Sequence, residues 1–175
     1  INEAAAALFA AGIAFWRSCG VGFVKAYHLS TGYPSLQAGA GLLPGDWSDQ
    51  VRLLTEHGFR FVDRYYLLRR ALGPLIEETV PQGGLSLAFR GGVADRRYQV
   101  FYRRTELIAE ARLLQPARQL ASDQQPFAYI AQWSVDERWR NQKIGRWLLR
   151  RMINDATQQG VGELAVHLQL QQAAA

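Results

Sequence analysis

Apolar residues recur along this chain at two spacings, and each change of spacing marks an element. Residues 4–17 are apolar almost throughout and predict a buried helix, closed by "CGVG". "FVKAYHL" (23–29) alternates β-formers and predicts a strand. After a Gly/Pro-punctuated loop (30–45), "DWSDQVRLLTEHG" (46–58) has amphipathic helical spacing, with Asp46 or Ser48 as cap and Gly58 as stop. Residues 59–70 predict a strand, and a Pro/Gly-rich linker follows to Gly84. "LSLAFR" (85–90) predicts another strand, and "RYQVFY" (97–102) and "LIAEARLL" (107–114) a hairpin turning at "RRTE". Beyond a polar loop (115–126), "FAYIAQWSV" (127–135) has apolar residues in both alternating sets, as a central strand covered on both faces would. A helix beginning near Ile144 follows, with Ile144, Leu148, Leu149, Met152, Ile153 and Ala156 on one side. It stops at "QQGVG", and "ELAVHLQL" (163–170) predicts the next strand.

Two of these segments look alike. "GVGFVKAYHL" (20–29) and "GVGELAVHL" (160–168) each place a Gly-Val-Gly stop after a helix and before a strand carrying His-Leu. Their separation is about one domain length, so the pair predicts an internal repeat. On that reading residues 1–72 are the back half of a first unit, 73–84 a linker, and 85–175 the front part of a second.

Charge narrows the class of partner. The first 80 residues carry equal numbers of acidic and basic side chains, so the whole net charge of +5 falls in residues 81–175. Within them Arg138, Arg140, Lys143, Arg146, Arg150 and Arg151 surround one strand-to-helix corner, with no acidic residue from Trp139 to Ile153. A helix start leaves its first N–H groups without intrahelical partners and carries the positive end of the helix dipole. Cations beside it deepen an anion site, for which phosphate or pyrophosphate is the natural guest. If the strand splays from its neighbour there, its free backbone groups can pair with an amide-bearing ligand. An amide-containing arm ending in a pyrophosphate describes coenzyme A. The apolar run at 4–16 is too short to cross a bilayer and, with Glu3 ahead of it, lacks the basic flank of a signal peptide. No membrane partner is expected. A single cysteine, Cys19, expected as a buried small residue, fits a reducing, cytoplasmic compartment.

The segment "VDERWRNQKIGRWLL" resembles the signature of the GNAT N-acetyltransferase superfamily, Arg/Gln-x-x-Gly-x-Gly/Ala after a strand ending in Val. Arg140 takes the first position and Gly145 the last. "EHGFRFVDRYYLLRR" (56–70) is similar to the end of such a domain. The resemblance implies an α/β (α+β) fold, a mixed, mostly antiparallel sheet flanked by helices, here in two tandem units. It implies acetyl-CoA as cosubstrate, held by Trp133, Ser134, Val135, Arg140, Asn141, Gln142, Lys143, Ile144, Gly145 and Arg146. It also implies direct attack of an amine on the thioester, with a carboxylate or a water held by one as base. Glu106, Glu110, Asp136 and Glu137 are available, with Glu106 and Glu137 the first candidates. One departure stands out: Lys143 occupies the family's middle glycine, which lets backbone approach the pyrophosphate closely.

Other residues call for plainer readings. His28 and His167 read as satisfied core or edge histidines without metal-ligand spacing, and Trp133, Trp139 and Trp147 as packing residues. Two further function classes compete with the enzyme. Lys143 and the unassigned base suit a non-catalytic acyl-CoA-binding or interaction module. Nucleic-acid binding ranks last, because the basic residues cluster at one turn rather than along a groove. The acceptor amine stays open, as does a homo-oligomer, domain swap or permuted order through which residues 1–80 complete the second unit.

Overall fold

The computed structural model describes residues 3–27, 42–115 and 127–169, so most of the loops read at 30–45 and 115–126, and His28, lie outside the described residues. The elements are α1 (Glu3–Ser18), α2 (Ser48–Glu56), β1 (Tyr65–Ala71), β2 (Leu85–Gly91), β3 (Asp95–Tyr102), β4 (Glu106–Leu114), β5 (Phe127–Val135), a 3-10 turn (Glu137–Trp139), α3 (Ile144–Gln158) and β6 (Glu163–Gln169). The six strands form one sheet in the order β1-β6-β5-β4-β3-β2. Only β5 and β6 run parallel, joined by α3 as a crossover, and the other four pairings are antiparallel. The mixed, mostly antiparallel sheet flanked by helices is the architecture the sequence predicts.

The core lies between α3 and one face of the sheet. Ile144, Leu148, Met152 and Ala156, four residues apart, are fully buried along α3. They pack with Tyr98 and Val100 of β3, Ala109, Ala111 and Leu113 of β4, and Ala128 and Ile130 of β5. The intervening residues Gln99, Glu110 and Arg112 point to the opposite face, where Gln99 donates to Glu110 and Arg112 pairs with Asp95. Along β3 and β4 that face is polar, in keeping with the alternation of a strand, while Tyr129 and Ala165 form a small apolar cluster on it with Leu42, Leu114 and Phe127.

Residues 72–84 run across α3 as a strap. The Leu72 N–H bonds the Gly162 carbonyl. Buried Asn154 accepts from Ile76 N–H at 2.8 Å and donates to the Ile76 carbonyl and to Glu78, each at 2.7 Å. Arg150 donates to the Glu77 carbonyl. The strap connects β1 to β2, which stand at opposite edges of the sheet. Thus Tyr65–Ala71, read from the sequence within a first unit (1–72), pairs with β6 in the same sheet as residues 85–169.

Several expectations are corrected. α1 buries none of its residues, because neither core cluster extends to it: Leu8 and Phe15 are exposed, and Phe9 finds ring partners in His57 and Phe59, at 5.0 and 5.7 Å between centroids. Residues 23–27 form no strand, so the likeness of 20–29 to 160–168 does not extend to a shared strand. What the two segments share is the helix stop: Gly20 and Gly160 take φ of 71° and 73°, the left-handed conformation that a glycine ends a helix with. The residue preceding α2 is Trp47, which supplies no side-chain cap, rather than Asp46 or Ser48. The strand read at 59–70 begins only at Tyr65, opposite Gln169, where β6 ends. Cys19 is exposed, not buried. No described helix is long and apolar enough to cross a membrane.

Candidate active site

The site starts from an interruption in strand pairing. Along β4, Arg112 pairs with Gln132 but Leu113 with Ile130, so Ala131 is an extra residue bulged out of β5. A bulge bends the strand that carries it. On the other side β5 and β6 pair only from Phe127↔Glu163 to Ile130↔Val166. Past that point the two strands run on without pairing, and a cleft of about 120 Å³ opens between Tyr129–Trp133 and Val166–Leu168. Ala131, Gln132, Trp133 and Ser134 are exposed, which corrects the expectation of a strand covered along both faces throughout.

The cleft leads to the start of α3. β5 ends at Val135, Asp136 accepts from Arg138 N–H, and the chain enters the 3-10 turn. Hydrogen bonds from the Arg138 side chain and N–H hold the Asp136 carboxyl below its usual range. Asn141 (φ 65°) and Lys143 (φ 64°) then turn through left-handed backbone. Asn tolerates that conformation; Lys143 carries its strain, about 1–2 kcal/mol. The position at which the signature has glycine is therefore also one at which the backbone needs glycine's freedom, beyond the close approach argued from the sequence. A Cβ on Gly145 would lie 3.4 Å from Val135 Cγ2 and 3.7 Å from the Trp133 indole, so the first turn of α3 lies against the end of β5 with room for no more than a small side chain.

The helix begins without an N-cap hydrogen bond and without an acidic residue in its first turn. Its first intrahelical bond runs from Trp147 N–H to the Lys143 carbonyl, leaving the N–H groups of Ile144, Gly145 and Arg146 outside the ladder. Of the six cations read at this corner, Arg138 is tied to Asp136 and Glu106, and Arg151 to Asp155 and Glu78. With Arg150 bonded to the strap, these three serve the fold. Arg140 reaches Glu137 at 3.3 Å and the Val135 carbonyl at 3.4 Å, both in exposed surroundings. The side chains of Lys143 and Arg146 are exposed and make no hydrogen bond or ion pair among the described residues. Two cations at the positive end of a helix dipole are an unfavourable arrangement that an anion would relieve.

Of the residues read from the sequence, Trp133 lines the cleft, Gly145 lies against Trp133 and Val135, and Gln142 lines a separate groove. Glu106 and Glu137 are not part of the cleft. Glu106 accepts from Arg138 and from Trp139 Nε1 and lines that groove with Gln82, Gly83, Tyr102 and Gln142. The Glu137 side chain is 83 % exposed and faces Arg140. Glu110 lies on the polar face, opposite Ser134 in the register. The cleft gains two members that sequence reasoning left aside, Tyr129 and His167, with the hydroxyl 3.0 Å from Nδ1. Burial pushes the His167 imidazole below its usual value and the Tyr129 phenol above its own. Trp147 is buried in the core and Trp139 stacks on Tyr102 at 4.7 Å, so both are packing residues as read. No described cluster of three or more His, Cys, Asp or Glu could hold a metal ion.

The model of the acetyltransferase (GNAT) family matches residues 65–175, which include the opened strand pair and the start of α3. The chain belongs to the GNAT acetyltransferase family. Among solved structures it is similar to a GCN5-related N-acetyltransferase from Kribbella flavida (14% identity, TM-score 0.52), over 67% of this chain and 53% of that one. It is also similar to one from Sphaerobacter thermophilus (13% identity, TM-score 0.50), over 76% and 51%. An aminoglycoside acetyltransferase from an uncultured soil metagenomic sample, in complex with sisomicin, aligns at 20% identity and TM-score 0.38, over 43% and 47%. The chain thus spans about half the length of the solved structures it resembles. No curated protein matches it. At these identities the likeness is one of fold, and this GNAT domain's chemistry has to be argued from its own residues.

Proposed function

We propose that this GNAT domain is an acyl-CoA-dependent N-acyltransferase, moving an acetyl group from acetyl-CoA to an amine. The observation that carries the reading is the end of β5–β6 pairing at Ile130↔Val166, directly ahead of a helix start with unpartnered N–H groups and unpaired cations. The N–H groups of Ile144, Gly145 and Arg146, with Arg140, Asn141, Gln142, Lys143 and Arg146 around them, would hold the pyrophosphate. The unpaired backbone of Trp133–Val135 on the β6 side would pair with the amides of the pantetheine arm. Gly145 lets the helix start lie close to Trp133 and Val135, and Lys143 adds a charge where the family has a glycine. The thioester supplies an activated acyl group, and the protein's part is to place the amine against it, offer N–H donors, and accept the amine's proton.

Thiol release from acetyl-CoA tests the reading, with small polyamines, an aminoglycoside, a peptide amino terminus and a lysine-containing peptide as acceptors. Acceptor-dependent release that stops on Arg140→Glu supports it. Binding of acetyl-CoA with no release for any of these amines would favour a non-catalytic acyl-CoA-binding module instead.

A further inference from the structure

The cleft between β5 and β6 is lined by residues of both faces of the sheet. On the α3 face these include Ile130, Trp133 and Val166, with Gly145 against Trp133. On the polar face its border is Tyr129, Gln132 and His167. His167 is the first β6 residue past the last β5–β6 pair, so it stands where the two strands part. Tyr129 is 3 % exposed, and its ring meets the imidazole edge-on, with centroids 5.5 Å apart. Its hydroxyl lies against Nδ1, while Nε2 makes no hydrogen bond among the described residues.

We propose that His167 is the general base of the acyl transfer, its Nδ1–H donating to the Tyr129 hydroxyl so that Nε2 keeps a free lone pair in the cleft. This rests on the acyltransferase reading above and names the residue that reading lacks. An amine attacks the acyl carbon, forming an N–C bond as the C–S bond breaks; its proton passes to Nε2, and the imidazolium then returns that proton to water. The coenzyme leaves as a thiolate and takes its own proton from solvent. Tyr129 is a positioning residue, fixing the ring and its tautomer.

The surroundings suit a base that is neutral at neutral pH. Leu67 of β1 stands opposite His167 in the register, with Tyr65 and Arg69 two residues to either side, and Arg69 is held by Glu163. Tyr129 and Gln132 face it from β5, and Leu42 packs on Tyr129 from ahead of α2. Farther along the polar face Arg112 is paired with Asp95, and Glu110 with Gln99. Asp63, ahead of β1, accepts from Gln169 at the end of β6. Each of these carboxylates has a partner of its own, and burial lowers the imidazole's proton affinity. By contrast Glu106 and Glu137 are each engaged by an arginine outside the cleft.

Two readouts test the assignment, one of them independent of turnover. Nitrogen-detected NMR of the imidazoles, with His167 identified by its loss in His167→Gln, should show a neutral Nδ1–H tautomer in the wild type, titrating below 6.5. Tyr129→Phe should shift that titration and the tautomer balance. In kinetics, His167→Gln should lower kcat at least about 100-fold and remove the acidic limb of the pH profile, while the Kd for acetyl-CoA stays within about 3-fold. Tyr129→Phe should move the limb and lower kcat less than His167→Gln does. An Nε2–H tautomer in the wild type, or an acidic limb unchanged in His167→Gln, overturns the assignment while leaving the acyltransferase intact. Failure of the wild type to bind acetyl-CoA overturns both.

Discussion

Asn154 pins the strap to α3, and its removal tests whether residues 72–84 hold β1 in the sheet. The side chain is 6 % exposed and makes three hydrogen bonds, to Ile76 N–H, the Ile76 carbonyl and Glu78, all of 2.8 Å or less. At about 1 kcal/mol net for each, Asn154→Ala removes about 3 kcal/mol. Ile76 is only half-buried, so water can reach part of what is freed, and the expected loss is about 2–3 kcal/mol. Asn154→Asp keeps the shape and the acceptor for Ile76 N–H but turns the amide donor into a second carboxylate oxygen. That oxygen would face the Ile76 carbonyl and Glu78, both acceptors, so this change should cost more than the alanine despite being closer in volume. Urea denaturation followed by far-UV circular dichroism gives both values, and proteolysis within residues 73–82 should accelerate in the same order. A loss below about 0.5 kcal/mol for Asn154→Ala, or an aspartate milder than the alanine, would refute the reasoning.

Two further outcomes are expected of the same structure. Asp95 is held below its usual carboxylate value chiefly by the Arg112 hydrogen bonds, so its stabilising contribution is present above pH 3.8 and fades as pH falls through the lowered folded value. Asp95→Asn should therefore be less stable than the wild type at pH 7, with the gap closing below pH 3.8; a gap independent of pH in urea titrations would contradict this. Lys143→Gly relieves left-handed strain and a cation at the helix start, against the greater chain entropy of glycine, and should raise stability by about 1 kcal/mol at low salt. A decrease by the same assay would mean that Lys143 is held by more than its backbone.

Much of the fold was legible because period and punctuation agree. β5 spans the nine residues of the alternating run, α3 starts at Ile144 and ends ahead of Gly160, and the hairpin of β3 and β4 turns at Arg103 and Arg104. The failures have physical causes. An alanine-rich run such as α1 has the same apolar pattern whether or not anything packs on it. The likeness of 20–29 to 160–168 reflects two glycine helix stops, and a stop of this kind leaves the next element unspecified. At the site, the signature residues could be read because spacing alone puts them on one turn. The bulge at Ala131 could not, since no residue type announces it, and it falls at the position where β5–β6 pairing ends. His167 looked like an ordinary strand histidine because its meaning depends on where β5–β6 pairing stops, a property of two strands rather than of one.

The central claim, that the opening beside α3 takes acyl-CoA, is tested most directly by calorimetric titration of the chain with acetyl-CoA, using ADP and desulfo-CoA as partial ligands. The wild type should bind one equivalent, with ADP keeping part of the affinity. Reversing both exposed cations at the helix start, Lys143→Glu with Arg146→Glu, should weaken binding at least about tenfold while circular dichroism stays unchanged. No heat of binding with a folded wild type, or an affinity unchanged by the double reversal, would contradict the account.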